Sequence, residues 1–108
     1  MEKRKPHYDL KKLKKLFSGE ATGVITATAQ KGAAALGYMD EDDIAEVINK
    51  LCSQHFYKSM TAHHNSQIWQ DVYKFKDEEK NLYIKLQLSV DKTQTVLIQM
   101  KRDEGGDE

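Results

Sequence analysis

The chain has 108 residues, of which 39% are hydrophobic and 31% charged, and its 17 basic and 17 acidic side chains give a formal net charge of zero. A chain of this length forms one domain with one core, and its apolar runs are too short to span a bilayer. No apolar segment follows the charged N-terminus, so we expect a cytoplasmic protein without a secretory signal. The zero net charge argues against a large, purely electrostatic DNA binder, whereas local charge still allows an RNA partner.

Residues 9–18 have the pattern of an amphipathic helix. Apolar side chains recur at helical spacing, namely Leu10, Leu13, Leu16 and Phe17. Asp9 can cap the first turn, and Ser18 and Gly19 can end the helix. The lysines lie mostly on the opposite face, where they form either an ordinary solvated surface or a basic ridge for RNA or an acidic partner.

Two more helices are predicted further along the chain. Thr26 can cap a short alanine-rich helix that ends at Gly37, although Gly32 within it costs about 1 kcal/mol relative to alanine. Asp40 can cap a third helix, whose early acidic residues complement the helix dipole and need no metal. Its apolar stripe consists of Ile44, Val47, Ile48 and Leu51. Cys52 follows this stripe, so we expect a buried thiol.

After Cys52 the apolar residues alternate, which is typical of strands. The clearest alternation is LYIKLQLSV at 82–90. TQTVLIQMK at 93–101 follows, and its expected buried residues are Val96, Ile98 and Met100. Two further strands are predicted in FYKSMTA at 56–62 and IWQDVYKF at 68–75.

The order of helices followed by strands predicts an α+β fold. N-terminal helices would pack on a roughly four-stranded antiparallel sheet, with one sheet face covered and the other more open. Residues 1–102 would form this single domain, and residues 103–108 an acidic, disordered tail.

A register argument brings polar side chains together on the open face. If the apolar faces of the last two strands match and a three-residue connection joins them, Tyr83 lies opposite Lys101 and Lys85 lies opposite Gln99. A longer loop with the same closing pairs keeps this register, whereas pairing the strands two residues earlier or later shifts it by one diagonal. Matching the preceding strand in the same way adds Gln70 to the face.

Alternation alone leaves two residues unexplained. Lys58 shares one side of its strand with Phe56 and Met60, so its face is not decided. Asp71 is the polar exception on the buried side of the next strand, which also carries Trp69, Tyr73 and Phe75.

Lysine, glutamine and tyrosine side chains on one sheet face suit cleavage of the RNA backbone. A base must take the proton of the 2′-hydroxyl, an acid must protonate the leaving 5′-oxygen, and cations must stabilise the charge on phosphorus. Lysines serve the last role, and they also favour the phenolate form of a nearby tyrosine. The amide can hold the phosphate or sugar, and no metal or other cofactor is required. The alternative is an ordinary solubilising surface, which has the same composition.

Six short segments carry a family resemblance. They are MEKRKPH at 1–7, LKKLKKL at 10–16, FYKSM at 56–60, IWQDVY at 68–73, LYIKLQL at 82–88 and VLIQMK at 96–101. Together they resemble the MqsR family of bacterial toxins, which cleave RNA and are paired with antitoxins. The resemblance is diffuse between residues 20 and 50.

The resemblance implies a RelE-like fold, akin to that of microbial ribonucleases, and a sequence-selective endoribonuclease that cuts mRNA without the ribosome. It implies neutralisation by a cognate antitoxin, a zinc-binding protein with a helix-turn-helix part, and action at promoter DNA only through the toxin–antitoxin complex.

The resemblance also implies site residues. The catalytic residues of the family fall on Lys58, Gln70, Tyr83 and Lys101. Further candidates for RNA contact are Lys85, Gln99, His7 and His64. A histidine expected in the turn between the last two strands is absent, and Asp91 and Lys92 occupy that region. If that histidine matters for cleavage, this protein would cut differently.

Two other functions stay open from the sequence. The chain could be a non-catalytic regulator that binds RNA or the ribosome, or a protein-interaction module that uses its basic first helix or a strand edge. The pair His63 and His64 has no nearby cysteine or second histidine pair, so we expect no metal site.

Overall fold

The computed structural model describes residues 1–105 of the chain. In this range it has three α-helices, which are α1 (Leu10–Phe17), α2 (Ala27–Ala35) and α3 (Glu41–Lys50). It also has six strands: β1 (Glu2–Lys3), β2 (Gly23–Ile25), β3 (Phe56–Ala62), β4 (Asn65–Asp77), β5 (Lys80–Leu88) and β6 (Thr95–Arg102). The predicted α+β class is confirmed.

The six strands form one mixed sheet in the order β1-β3-β4-β5-β6-β2. Strand β2 runs parallel to β6, and the other neighbouring strands are antiparallel. The expectation of about four antiparallel strands was therefore too low and missed the parallel edge. The two edge strands have two and three residues, which is too short to produce a detectable alternation.

All three helices contribute to one core against one face of the sheet. The core joins Leu13, Ala33 and Ile48 of the helices to Ile84 and Met100 of the sheet. The predicted caps are confirmed, because the side chains of Asp9, Thr26 and Asp40 each accept a hydrogen bond from a backbone N–H in the first turn. No helix in the described range is long and apolar enough to cross a membrane.

Gly32, which disfavours a helix, allows α2 to lie directly on β6. A Cβ atom at this position would clash with the carbonyl oxygen of Met100. The packing thus needs a residue without a side chain, and tertiary contact outweighs the low helix propensity of glycine.

Two β-bulges decide which residues face the core. One lies between Phe56 and Lys58, and it turns Phe56 towards the ring of Tyr73 in the core while Lys58 stays on the opposite face. The alternation that grouped Phe56 with Lys58 was therefore wrong.

The second bulge separates the two halves of β6. The ladder pairs Lys85 with Gln99 but Leu86 with Leu97, so one extra residue lies on β6. Leu97 and Met100 are both fully buried, and Val96 is not. We expected Val96, Ile98 and Met100 to face the core, and this prediction was wrong for Val96, because strict alternation does not continue through a bulge.

The N-terminal segment is fastened to the sheet by Asp71. Its buried carboxylate accepts hydrogen bonds from the backbone N–H groups of His7 and Tyr8, at 2.9–3.1 Å. The acid that interrupts the apolar side of β4 thus satisfies backbone donors.

The thiol of Cys52 is exposed, so the prediction of a buried cysteine was wrong. Its Sγ lies 3.6 Å from Nδ1 of His55, at a short 3₁₀ turn that follows α3.

The start of the acidic tail has defined contacts. Asp103 donates its backbone N–H to the carbonyl of Asn81 at 2.7 Å, and its carboxylate lies 3.4 Å from Nζ of Lys74. The rest of the predicted disorder, at residues 106–108, falls outside the described residues.

Candidate active site on the polar face of the sheet

The sheet face opposite the helices carries the candidate residues. We call it the polar face, and its polar members on β3–β6 include Lys58, Gln70, Lys74, Tyr83, Lys85, Gln87, Gln99 and Lys101. Each of the four long strands supplies one of the predicted catalytic residues: Lys58, Gln70, Tyr83 and Lys101. The structure therefore brings all four to one surface.

The predicted register of the last two strands is confirmed for the pairs that carry the candidates, although six residues instead of three connect the strands and the bulge shifts the pairing by one residue beyond Lys85. Tyr83 lies opposite Lys101, and Lys85 lies opposite Gln99. Lys74 is the partner of Tyr83 on its other side. A phenol is therefore placed between two lysine-bearing strands.

Cations surround the ring of Tyr83. The Nζ of Lys101 lies 4.9 Å from the ring centroid, and that of Lys85 lies 5.9 Å from it. The phenol is nearly buried, with 2% of its surface exposed, whereas the two lysines are partly exposed. In a site of low dielectric, such cations stabilise nearby negative charge more strongly than they would in water.

Lys58 lies on the far side of the same face. It pairs with Val72, which pairs with Lys85 on the next strand. Two strand spacings of about 4.8 Å therefore separate the backbones of Lys58 and Lys85. Nζ of Lys58 donates to Oε2 of Glu2 at 2.7 Å, so the first strand supplies a carboxylate to the buried ammonium.

Tyr57 is the extra residue of the first bulge, and three cationic side chains lie near its ring. Its ring centroid is 3.9 Å from Nζ of Lys74, 5.1 Å from Cζ of Arg4 and 5.5 Å from Nζ of Lys58. These separations are typical of cation–π contacts. The N-terminal segment thus adds a guanidinium to the margin of the polar face.

Gln70 is held by a second amide. Its Nε2 donates to Oε1 of Gln87 at 2.9 Å, and Nε2 of Gln87 donates to the carbonyl of Leu88 at 3.3 Å. The chain of amides fixes the orientation of Gln70, whose side chain is 6% exposed.

His7 lies at the rim of the sheet end that carries Gln87. Its ring stacks on Trp69 with 5.5 Å between centroids, and its Nδ1 is 3.0 Å from Nζ of Lys3. Partial burial and the charge of Lys3 lower the pKa of His7, while Asp71 opposes them. The ring is therefore neutral at pH 7, with Nδ1 as the acceptor from Lys3.

His64 and Gln99 have weaker positions. His64 is exposed in the turn that joins β3 to β4, and none of the described contacts connects it with the polar face. Gln99 lies on the polar face beside Lys85. The contacts of the described residues therefore favour Lys85 and His7 over His64.

Sequence reasoning missed Glu2 and Tyr57. Glu2 lies on a two-residue strand, and the position of Tyr57 depends on a bulge. The signal for Tyr57 was present in FYKSM, as an aromatic residue next to the candidate lysine. No local pattern marks Glu2, since its partner is 56 residues away.

Comparison with known proteins identifies the family of the chain. The family described as "Motility quorum-sensing regulator, toxin of MqsA" matches residues 5–102. The chain is also 40% identical over 86 residues to the mRNA interferase toxin MqsR of Escherichia coli (strain K12). The aligned residues cover 80% of this chain and 86% of that protein. The match spans the helices, strands β2–β6 and all four catalytic candidates. The chain therefore belongs to the MqsR toxin family.

Proposed function

We propose that this protein is an mRNA endoribonuclease and the toxin of a type II toxin–antitoxin pair. The family is one of toxins, and the 40% identical relative is named an mRNA interferase. The observation that carries the proposal is the nearly buried phenol of Tyr83, with Lys101 and Lys85 beside its ring.

The proposed chemistry is attack of the RNA 2′-oxygen on the adjacent phosphorus. The bond from phosphorus to the 5′-oxygen breaks, which leaves a 2′,3′-cyclic phosphate and a 5′-hydroxyl. Tyr83 moves a proton at one of the two oxygens, and either the base or the acid role fits its position. Lys58 and Lys101 stabilise the extra charge on the phosphoryl oxygens, so the reaction needs no metal.

Two further residues bind the substrate in this proposal. Gln70 orients the scissile phosphate through an amide already fixed by Gln87. Lys85, at the centre of the polar face, contacts the neighbouring phosphate, and Gln99 lies beside it. Pre-organised donors of this kind cost little reorganisation when charge develops.

The biological setting follows from the family. A cognate antitoxin neutralises the toxin, and we propose that it is the zinc-binding, helix-turn-helix protein expected from the resemblance and that promoter DNA is bound only through the complex. We further propose a RelE-like relationship for the fold, cleavage that is sequence-selective and independent of the ribosome, and a cytoplasmic location, where mRNA is present.

The test is cleavage of a defined mRNA by purified protein in excess EDTA. We expect cuts at a repeated short sequence and products that end in cyclic phosphates. Tyr83→Phe and Lys101→Ala should each lower the rate by about 100-fold or more, the usual contribution of a proton-transfer or charge-stabilising group. Lys31→Ala, an exposed lysine on α2, is the matched control and should cut normally.

Other results would favour the rival functions. RNA that is bound but not cut by well-folded protein would indicate a non-catalytic regulator. If Tyr83→Phe cuts RNA at the normal rate, Tyr83 has no part in the mechanism. If cleavage stops in EDTA and returns when Mg²⁺ is added, the reaction is not metal-free.

A further inference from the structure

A cleft opens at the end of the sheet next to Gln70. The pairing of β4 with β5 reaches Asp71 and Leu86 and stops there, although β4 begins at Asn65 and β5 continues to Leu88. The ends of the two strands border a cleft of about 310 Å³. This volume is at the lower end of the range for small-ligand sites.

Tyr8 closes the base of this gap from the helix side. Its hydroxyl donates to the carbonyl of Trp69 on β4 at 2.7 Å, and Leu88 of β5 also lines the cleft. Burial and the charge of Asp71 raise the pKa of Tyr8, so the hydroxyl keeps its proton for this bond. The phenol therefore occupies the Trp69 carbonyl in the part of β4 where the ladder with β5 has already ended.

The walls of the cleft are amide-rich. Among the residues that line it are Asn65, Gln67, Ile68, Gln87, Ser89 and His7. Each glutamine side chain offers donors and an acceptor, the groups that pair with the edges of nucleobases. Ile68 supplies an apolar surface between them.

His7 adds a flat ring to the cleft. It is stacked on Trp69, and Lys3 lies over the same indole at 4.3 Å from its centroid. Lys92, in the turn after β5, also borders the cleft. A stacking ring with cations beside it matches the way proteins bind the splayed bases of single-stranded RNA.

One residue connects the cleft with the candidate active site. Gln87 lines the cleft and also accepts the hydrogen bond from Gln70. A group bound in the cleft therefore lies one side chain away from the amide assigned to the scissile phosphate.

We propose that this cleft is a nucleobase subsite, which binds one base of the RNA strand next to the cut and so determines where the enzyme cuts. The inference rests on the proposed ribonuclease function, and it assigns selectivity to Gln67, Gln87 and His7. The acting groups are the two amides, which read the base edge, and the imidazole, which stacks.

The cleavage test uses a pool of random-sequence RNA and compares base frequencies around the cut sites. Gln67→Ala should keep cutting but lose preference at one position by about fivefold to tenfold, the equivalent of one hydrogen bond. His7→Phe keeps the stacked ring and removes its hydrogen-bonding atoms, so it should alter the same position. Gln54→Ala, an exposed glutamine before β3, is the control and should keep the original profile.

A binding experiment tests whether the cleft binds nucleobases, independently of catalysis. The four nucleoside 5′-monophosphates are titrated into isotope-labelled protein, and the side-chain amide signals of Gln67 and Gln87 are followed. One or two of the four should shift these signals at lower concentration than the others, and Gln67→Ala should weaken that preference.

The outcomes separate the two proposals. Protein that cuts selectively, with the same base profile in Gln67→Ala and His7→Phe as in the unmodified chain, overturns the subsite. If the unmodified protein does not cut RNA at all, the ribonuclease proposal fails and the mononucleotide titration decides the cleft: base-dependent shifts support it, and equal or absent shifts overturn it.

Discussion

Lys58 donates to Glu2 at 2.7 Å from a fully buried side chain, whereas the side chain of Glu2 is 43% exposed. An ammonium taken out of water is costly unless it is paired and hydrogen-bonded. The two-residue strand β1 brings the paired carboxylate to it, since Glu2 lies opposite Met60 on β3. The N-terminus of the chain is thus part of the support of the candidate active site.

Replacing Lys58 by methionine should separate catalysis from stability. Methionine keeps much of the length and removes the buried charge, so we expect the free energy of unfolding to stay within about 1 kcal/mol of the original or to rise. The RNA cleavage rate should fall by about 100-fold or more if Lys58 has the proposed role, because a cation that stabilises the phosphoryl oxygens would be lost. Urea unfolding and initial cleavage rates measure the two quantities.

Glu2→Gln is the reciprocal variant. The variant keeps the charge of Lys58 and removes the negative charge that neutralises it, so the free energy of unfolding should fall by about 1–3 kcal/mol while some cleavage remains.

A Lys58→Met protein that cuts RNA at the normal rate would exclude Lys58 from the reaction, whatever its effect on folding.

Asp103→Asn should strengthen RNA binding at low salt. The Asp103 carboxylate lies 3.4 Å from Nζ of Lys74, a lysine on the polar face. Removing this acid raises the positive potential there, so the Kd for an RNA with uncleavable 2′-O-methyl riboses should fall about twofold to fivefold at 50 mM salt. The gain should disappear at 500 mM salt, where screening is strong.

The matched control for this change is Asp42→Asn, an exposed acid in the first turn of α3. It alters the net charge by the same amount, on a helix that packs against the other face of the sheet. Equal strengthening by both variants would mean that total charge, and not the charge beside Lys74, governs RNA binding.

The titration of His7 should depend on Lys3. Partial burial and the Lys3 charge lower the pKa of His7, and the Asp71 charge raises it. Lys3→Met should therefore move the NMR titration midpoint of the His7 ring upwards, towards the ordinary value of 6.5. If the midpoint does not change in Lys3→Met, the ammonium of Lys3 does not affect the pKa of His7.

The Asp77 carboxylate should contribute stability that depends on pH. The hydroxyl of Tyr38 donates to it at 2.6 Å and Nζ of Lys50 donates at 3.3 Å, and these bonds lower the pKa of Asp77. A lowered folded-state pKa means that the contribution is present above the ordinary value of 3.8 and is lost as the pH falls through the folded-state value.

Asp77→Asn should therefore be destabilising by about 1–2 kcal/mol at pH 7, and the difference should shrink at pH 3 and below. Urea unfolding at both pH values measures it. Tyr38→Phe in the same series shows how much of the effect passes through the phenol. A constant difference across this pH range would contradict the lowered pKa.

Local signals allowed the sequence to predict much of the fold. The caps at Asp9, Thr26 and Asp40 depend on a few neighbouring residues, and all three were predicted. The pairing of Tyr83 with Lys101 was predicted from matching apolar faces and from an assumed three-residue connection. The pairing is correct although the connection has six residues, because the bulge in β6 compensates for the longer loop.

The rest could not be predicted, because it depends on contacts that are distant in sequence. The edge strands β1 and β2 are too short to show a period. The face of Lys58 depends on a bulge next to Tyr57, and the burial of Leu97 depends on another bulge in β6. A bulge shifts the alternation by one residue without a local sequence mark.

The contact between Gly32 and the backbone of Met100 gives β6 a rigid backing. At this point the helix meets the strand without an intervening side chain, and the next residue, Lys101, carries its ammonium on the other side of the sheet. A side chain at position 32 would push on the β6 backbone next to Lys101, because close-packed interiors transmit such displacements. The position of Lys101 in the candidate active site therefore depends on a glycine of α2, on the opposite side of the sheet.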